Sequence, residues 1–137
     1  MAHAPFKLEV LTPEGLVWEG QAEQVSTRTE TGSIGILARH QPLLALVTPT
    51  ELRVTQVGGE VLHFAQGEGY VQVSPERVLL LVEEAIEPSK LDPAKLQQQI
   101  DDAAKRVETE PEGSERKARA QRDERRARAF LAVISQD

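Results

Sequence analysis

The sequence contains no cysteine, three histidines, one tryptophan, one tyrosine and three phenylalanines in 137 residues. Without cysteine, a disulfide framework, an iron–sulfur cluster and a thiolate zinc site are all excluded. The histidines His3, His40 and His63 include no pair at the i, i+4 spacing of a helical zinc site, and His63, on an expected strand, reads as structural. Long apolar runs are missing as well. No segment approaches the roughly 20 residues that a membrane helix needs. The stretch Met1–Lys7 lacks the basic region and apolar run of a signal peptide. Any membrane association is therefore expected to be peripheral, with no direct insertion.

Catalytic patterns are equally scarce. There is no Gly-x-Ser-x-Gly elbow. Gly67-Glu68-Gly69 lacks the Lys-Ser/Thr of a phosphate loop and leads into a strand, so it reads as a turn or bulge. The carboxylate pairs Glu83-Glu84 and Asp101-Asp102 are adjacent in sequence and point to different faces. No catalytic residue, no metal and no obligatory cofactor are expected.

What is present is an uneven charge and a change of period. The net charge is −6. Residues 1–88 carry five Lys/Arg against twelve Asp/Glu, net −7, and residues 89–137 carry eleven against ten, net +1. Within Ser114–Arg128, seven basic residues face three acidic ones. The acidic body argues against nucleic acid as a partner. The basic stretch reads most simply as a solvated helix face and otherwise needs a separate explanation.

From Phe6 to about Ala85 the chain reads as short strands. Phe6, Leu8 and Val10 alternate with Lys7 and Glu9, and Val25, Thr27 and Thr29 alternate with polar neighbours. Thr12-Pro13-Glu14-Gly15 and Ser74-Pro75-Glu76-Arg77 carry turn chemistry. Gly58-Gly59 between two β-rich runs predicts a tight hairpin, because glycine tolerates the positive φ that such turns require. Many short strands predict an antiparallel β-sandwich.

After Pro88 the period becomes helical. Leu96, Ile100, Ala103 and Val107 form one stripe, preceded by Asp92 as N-cap and Pro93 at the first helical position. Ser114 caps a second helix, whose apolar residues Ala127, Phe130, Leu131, Val133 and Ile134 gather at its end. The expected architecture is β plus α: an N-terminal antiparallel β-sandwich over residues 1–88, then a C-terminal antiparallel two-helix hairpin over residues 89–137. With little apolar seam, that hairpin is marginal alone and must pack on the sandwich, on a partner, or on both in turn.

Several segments carry a family likeness. Thr31-Gly32-Ser33-Ile34-Gly35-Ile36-Leu37, then His40-Gln41-Pro42-Leu43-Leu44-Ala45-Leu46, Leu52-Arg53-Val54 and Gly67–Pro75 stand in the order and spacing of one family. The chain resembles the epsilon subunit of F-type rotary ATP synthases over essentially its whole length. It departs from the motif where Ala38-Arg39 replaces Pro-Gly before the histidine and where Ser33 replaces a frequently acidic residue.

The resemblance implies a non-catalytic central-stalk subunit on the cytoplasmic face of a bacterial plasma membrane. Its implied partners are the gamma subunit, the c-subunit ring and, through the hairpin, the catalytic alpha and beta subunits. It implies a c-ring/gamma interface at Glu30, Thr31, Gly32 and Ser33, with His40 and Pro42 supporting the base of that loop. Gly32 and Gly35 also suit a plain tight turn, and His40 a buried structural role. The family's hairpin can open and inhibit ATP hydrolysis. Arg116, Arg119, Arg122, Arg125, Arg126 and Arg128, with Lys117, would then meet an acidic segment of the beta subunits. Some members bind a regulatory ATP at an Ile/Leu-Asp-x-x-Arg-Ala motif. Here Leu91-Asp92-Pro93-Ala94-Lys95-Leu96 has Lys for Arg and Leu for Ala, which leaves Asp92, Lys95 and Arg126 as implied ATP contacts and Asp92 equally as a plain cap. Two other classes fit less well: a small-molecule or sugar-binding sandwich, which the few aromatics disfavour, and an Arg-helix RNA binder, which the acidic body disfavours.

Overall fold

The computed structural model describes residues 3–135. Nine strands come first: β1 (Phe6–Thr12), β2 (Gly15–Thr29), β3 (Gly32–Ile36), β4 (Leu43–Val47), β5 (Thr50–Gln56), β6 (Val61–Gln66), β7 (Gly69–Val73), β8 (Arg77–Val82) and β9 (Ala85–Ile86). A 3-10 turn over Pro88–Lys90 leads to helices α1 (Pro93–Thr109) and α2 (Glu115–Ile134). The β-sandwich followed by a two-helix hairpin is thus the observed architecture.

Strand β2 organises the sheet. At 15 residues it is long enough to serve both layers. One edge pairs first with β1 (Phe6 opposite Ala22) and then with β3 (Ile36 opposite Val25). The other edge pairs with β5 (Val54 opposite Val25) and, at Thr29, with Val47 of β4. Strand β1 also pairs with β8, so the order β1-β8-β7-β4-β2 closes back on β1. The β1–β8 pairing is parallel, whereas the other ladders are antiparallel. Alternation places Leu8 and Val10 inward, both fully buried, while Lys7 is exposed. The core draws on β1 through β8, including Val25, Ile36, Leu52, Val54, Phe64, Val71 and Leu80.

The turns follow the expected chemistry. Gly58 and Gly59 hold φ of +103° and +97° between β5 and β6. Beside them the register of β2 slips between Ala22 and Gln24. The buried carboxylate of Glu23 accepts the Gly58 N–H at 3.1 Å, tying the slip to the turn. One polar knot centres on the fully buried Gln66. The Thr27 hydroxyl donates to Gln66 Oε1, and the Gln66 amide donates to Thr48 O at 3.0 Å and Gly67 O at 3.1 Å. Every polar atom of that amide is paired, so its burial carries little penalty and pins β6 to the β4–β5 corner.

Both helix caps are formed as expected. Asp92 Oδ1 accepts the Ala94 N–H at 2.9 Å ahead of Pro93, and Ser114 Oγ accepts the Lys117 N–H at 3.1 Å. Leu96, Ile100 and Ala103 are buried and Val107 is half-buried. Ala103 and Ala120 close the loop half of the hairpin, and Arg106 joins Asp123 across it at 3.1 Å.

Gly69 marks the tightest approach in the sheet. A Cβ there would lie 1.9 Å from Leu81 O and 2.7 Å from Val82 Cα, both backbone atoms that cannot swing aside. Gly69→Ala is expected to lower stability by about 2 kcal/mol or more in urea denaturation. A loss under about 0.5 kcal/mol would mean that the β7–β8 ladder is not packed this closely.

Candidate functional site

Two surfaces stand out: the groove between hairpin and sandwich, and the outer face of β4, β7 and β8. The groove exists because α2 lies on the sandwich only through its last turns. There Ala127, Phe130 and Val133 pack with Leu96 and Ile100 of α1 on Ala65 of β6, flanked by Ile86 and Leu91. Just before those turns, at Arg125 and Arg126, the contact with the sandwich becomes ionic. Arg125 reaches Glu68 at 3.0 Å, and Arg126 reaches Glu84 at 3.1 Å and Asp123 at 3.3 Å. The resulting cavity, about 570 Å³, sets Glu30, Glu68, Glu83, Glu84 and Asp123 against Arg122, Arg125 and Arg126, and Leu46 and Tyr70 of the outer sheet face also line it.

The six arginines expected to act as one grip are placed in different situations. Arg125 and Arg126 are on the sandwich. Arg122 pairs with Glu115 at 3.2 Å and Arg128 with Glu124 at 2.7 Å, both within α2. Lys117 pairs with Glu112. Arg116 and Arg119 are exposed and form no ion pair among the described residues.

The implied ATP contacts are not assembled. Asp92 is committed as the cap of α1, Lys95 is exposed, and neither lines the groove that holds Arg126. The Arg126 guanidinium already faces two carboxylates, and the groove carries five acidic groups against three basic ones. A polyphosphate would meet net negative charge, so the residues present do not fit a nucleotide in this arrangement.

The loop expected at the rotor interface is divided. Glu30 and Thr31 form the β2–β3 turn with Gly32 at φ +136°, while Gly32 and Ser33 already belong to β3. Thr29 Oγ1 accepts the Thr31 N–H at 3.3 Å and donates to Gly32 O at 3.1 Å, which fixes the turn. His40 and Pro42 do not support its base. They lie in the β3–β4 connection, at the other end of the five-residue strand β3 from Gly32. An extended strand carries a short sequence separation to opposite ends of the sheet. His40 is half-buried and its Nδ1 lies 2.8 Å from Gln41 O. Next to it Arg39 holds φ +66°, the left-handed conformation that glycine adopts without strain, at the position where the family motif has glycine.

Sequence reading missed the outer face. Leu46 of β4 stands opposite Tyr70 of β7, and Tyr70 opposite Leu81 of β8. All three are exposed, Tyr70 by 52%, and Leu44 on the same face is 69% exposed. The row continues to half-buried Leu11 of β1 and exposed Leu16. A contiguous apolar stripe on a sheet face marks an interaction surface. Period-two alternation was the available signal, but it becomes a surface only once the register is known.

The family described as ATP synthase, Delta/Epsilon chain, beta-sandwich domain matches residues 5–88. The ATP synthase epsilon chain of a Sulfurihydrogenibium species is 33% identical over 130 residues, covering 95% of this chain and 97% of the relative. A sodium ion specific ATP synthase epsilon chain from Propionigenium modestum is 37% identical over 89 residues, 65% of this chain and 64% of that one. A chain in the Euglena gracilis mitochondrial ATP synthase assembly of OSCP, F1 and c-ring shares the fold at TM-score 0.83 and 18% identity, covering 98% of this chain and 84% of that one.

Titration calorimetry of the full chain with millimolar ATP is expected to give no binding heat. A saturable heat, lost in Arg126→Ala, would show that Arg126 leaves Glu84 for a phosphate.

Proposed function

This chain belongs to the epsilon-chain family of ATP synthases, and we propose that it is a non-catalytic central-stalk subunit that couples rotor rotation and restrains ATP hydrolysis. In this reading the sandwich is held permanently between the gamma subunit and the c ring. The hairpin is held only conditionally. The complex performs ion-driven ATP synthesis at sites in other subunits, and this chain sits peripherally on the cytoplasmic face of a bacterial plasma membrane. No helix among the described residues is long and apolar enough to cross a membrane.

The observation that carries the reading is the contrast between the two attachments. The sandwich closes on a core shared by β1 through β8, whereas α2 rests on it through one short apolar seam, an approach to the start of β5 and two partly exposed ion pairs. A rigid body with a weakly held arm suits a rotor element with a brake. The stripe Leu44, Leu46, Tyr70 and Leu81 is assigned to gamma, because a permanent partner is what covers exposed apolar residues. The turn Glu30–Ser33 is assigned to the c ring. His40 and Pro42, at the opposite end of β3, border the stripe beside Leu43 and Leu44 and belong with the gamma contact.

In the braking state the hairpin leaves the sandwich and reaches along gamma, up to roughly 60 Å if both helices extend end to end. Arg116, Arg119, Arg122, Arg125, Arg126 and Arg128 then face the acidic segment of the catalytic beta subunits. Guanidinium–carboxylate forks supply the grip. Of the six, Arg116 and Arg119 are available without breaking any ion pair among the described residues, whereas Arg125 and Arg126 must first leave the sandwich.

Reconstitution of catalytic head and gamma stripped of this chain tests the assignment. The full chain is expected to bind and inhibit ATP hydrolysis, and residues 1–88 to bind without inhibiting. Arg122→Ala/Arg125→Ala/Arg126→Ala is expected to bind with inhibition weakened at least threefold, and Tyr70→Lys to bind gamma about tenfold more weakly. Equal inhibition by full chain and residues 1–88 would contradict the brake. Undiminished binding by Tyr70→Lys would contradict the gamma face.

A further inference from the structure

Glu68 and Glu84 are presented to α2 by a rigid ledge. The Gly67 N–H donates to Glu84 O and the Glu83 N–H to Glu68 O, each at 2.8 Å, so the β6–β7 and β8–β9 connections are laced together. Gly67 and Gly69 permit this close approach: an added Cβ would lie 3.3 Å from Glu84 N and 1.9 Å from Leu81 O respectively. Two carboxylates are thereby held on neighbouring, hydrogen-bonded connections. Arg125 and Arg126, consecutive on α2, diverge around the helix and take one each.

We propose that Glu68 and Glu84 form an internal counter-charge latch, which holds the hairpin down by occupying the guanidinium groups that an acidic partner would otherwise take. The identity of that competitor rests on the function proposed above; the latch itself does not. Arg125 and Arg126 hold Glu68 and Glu84 only while α2 lies on the sandwich, and reach a partner along gamma only once it has left. Docking and gripping by Arg125 and Arg126 are therefore mutually exclusive, and an acidic partner segment opens the hairpin by competition instead of by deforming it. Asp123, three residues before Arg126, travels with α2 and keeps Arg126 oriented in either state, so the exchange is confined to Glu84. Glu30 and Glu83 line the same groove and add to its pull on the basic stretch. Because Arg125 is 57% exposed and the others about one-third, the latch is screened by salt at the Debye length of roughly 8 Å in physiological solution.

The absence of native cysteine allows a dye pair at Glu76→Cys in the β7–β8 turn and Glu108→Cys on α1, both exposed positions. Energy transfer in the isolated full chain reports the open fraction. Glu68→Gln/Glu84→Gln is expected to raise that fraction roughly three- to tenfold at low salt. Salt at 0.5 M, an arbitrary but strongly screening concentration of about 4 Å Debye length, is expected to open the wild type more than this variant. The swap Glu84→Arg/Arg126→Glu is expected to return the open fraction toward wild type relative to Glu84→Arg alone. An unchanged open fraction in the double Gln variant, or equal salt response in both chains, overturns the latch. Added to the stripped head, the double Gln variant is expected to inhibit more strongly than wild type. Equal inhibition despite an opened hairpin overturns the competition, while the brake itself is judged separately by the comparison with residues 1–88.

Discussion

Everything conditional in this molecule depends on the short seam where the last turns of α2 meet Ala65 and Ile86. Phe130 and Val133 are the only large buried side chains that α2 contributes. The first half of the helix is Arg- and Glu-rich, and alanines close its contact with α1. Such a pair of helices gains little from its own interface, so its order derives from docking. The same thinness makes departure affordable. Leaving the sandwich exposes one small cluster and two solvent-facing ion pairs and leaves the sheet core intact.

The sandwich is built to the opposite specification. The long strand β2 serves both layers, β1 closes the sheet on β8, and the amide of Gln66 is paired at both its oxygen and its nitrogen deep inside. Local opening of such a body approaches global unfolding in cost. Rigidity matters because the sandwich must hold three things in register: the Glu30–Ser33 turn, the apolar stripe through Leu46, Tyr70 and Leu81, and the ledge carrying Glu68 and Glu84. In the family reading, rotation is transmitted through the first two and regulation is applied at the third.

Much of this was legible in the sequence where the physics is local. The Gly58-Gly59 turn, the caps Asp92 and Ser114, the Leu96/Ile100/Ala103 stripe and the inward Leu8 and Val10 follow from short-range geometry, and each is found in place. What escaped is non-local. Nothing near Glu68 announces that its carboxylate meets Arg125, 57 residues away in the chain. Leu44 and Leu46 read as ordinary strand residues until the register set them on an outer face. Motif order placed His40 beside Glu30, yet β3 is extended, and a few extended residues span a whole sheet edge. The parallel β1–β8 pairing likewise depends on closure of the sheet, which no short window encodes.

The central claim is that the hairpin opens as a unit from a sandwich that stays folded. Native-state hydrogen exchange on the full chain tests it most directly. The account predicts that amides of α1 and α2 exchange together through one opening, at a free energy well below that of β1, β7 and β8. Exchange of the helices only through global unfolding, with protection equal to that of the core strands, would contradict it.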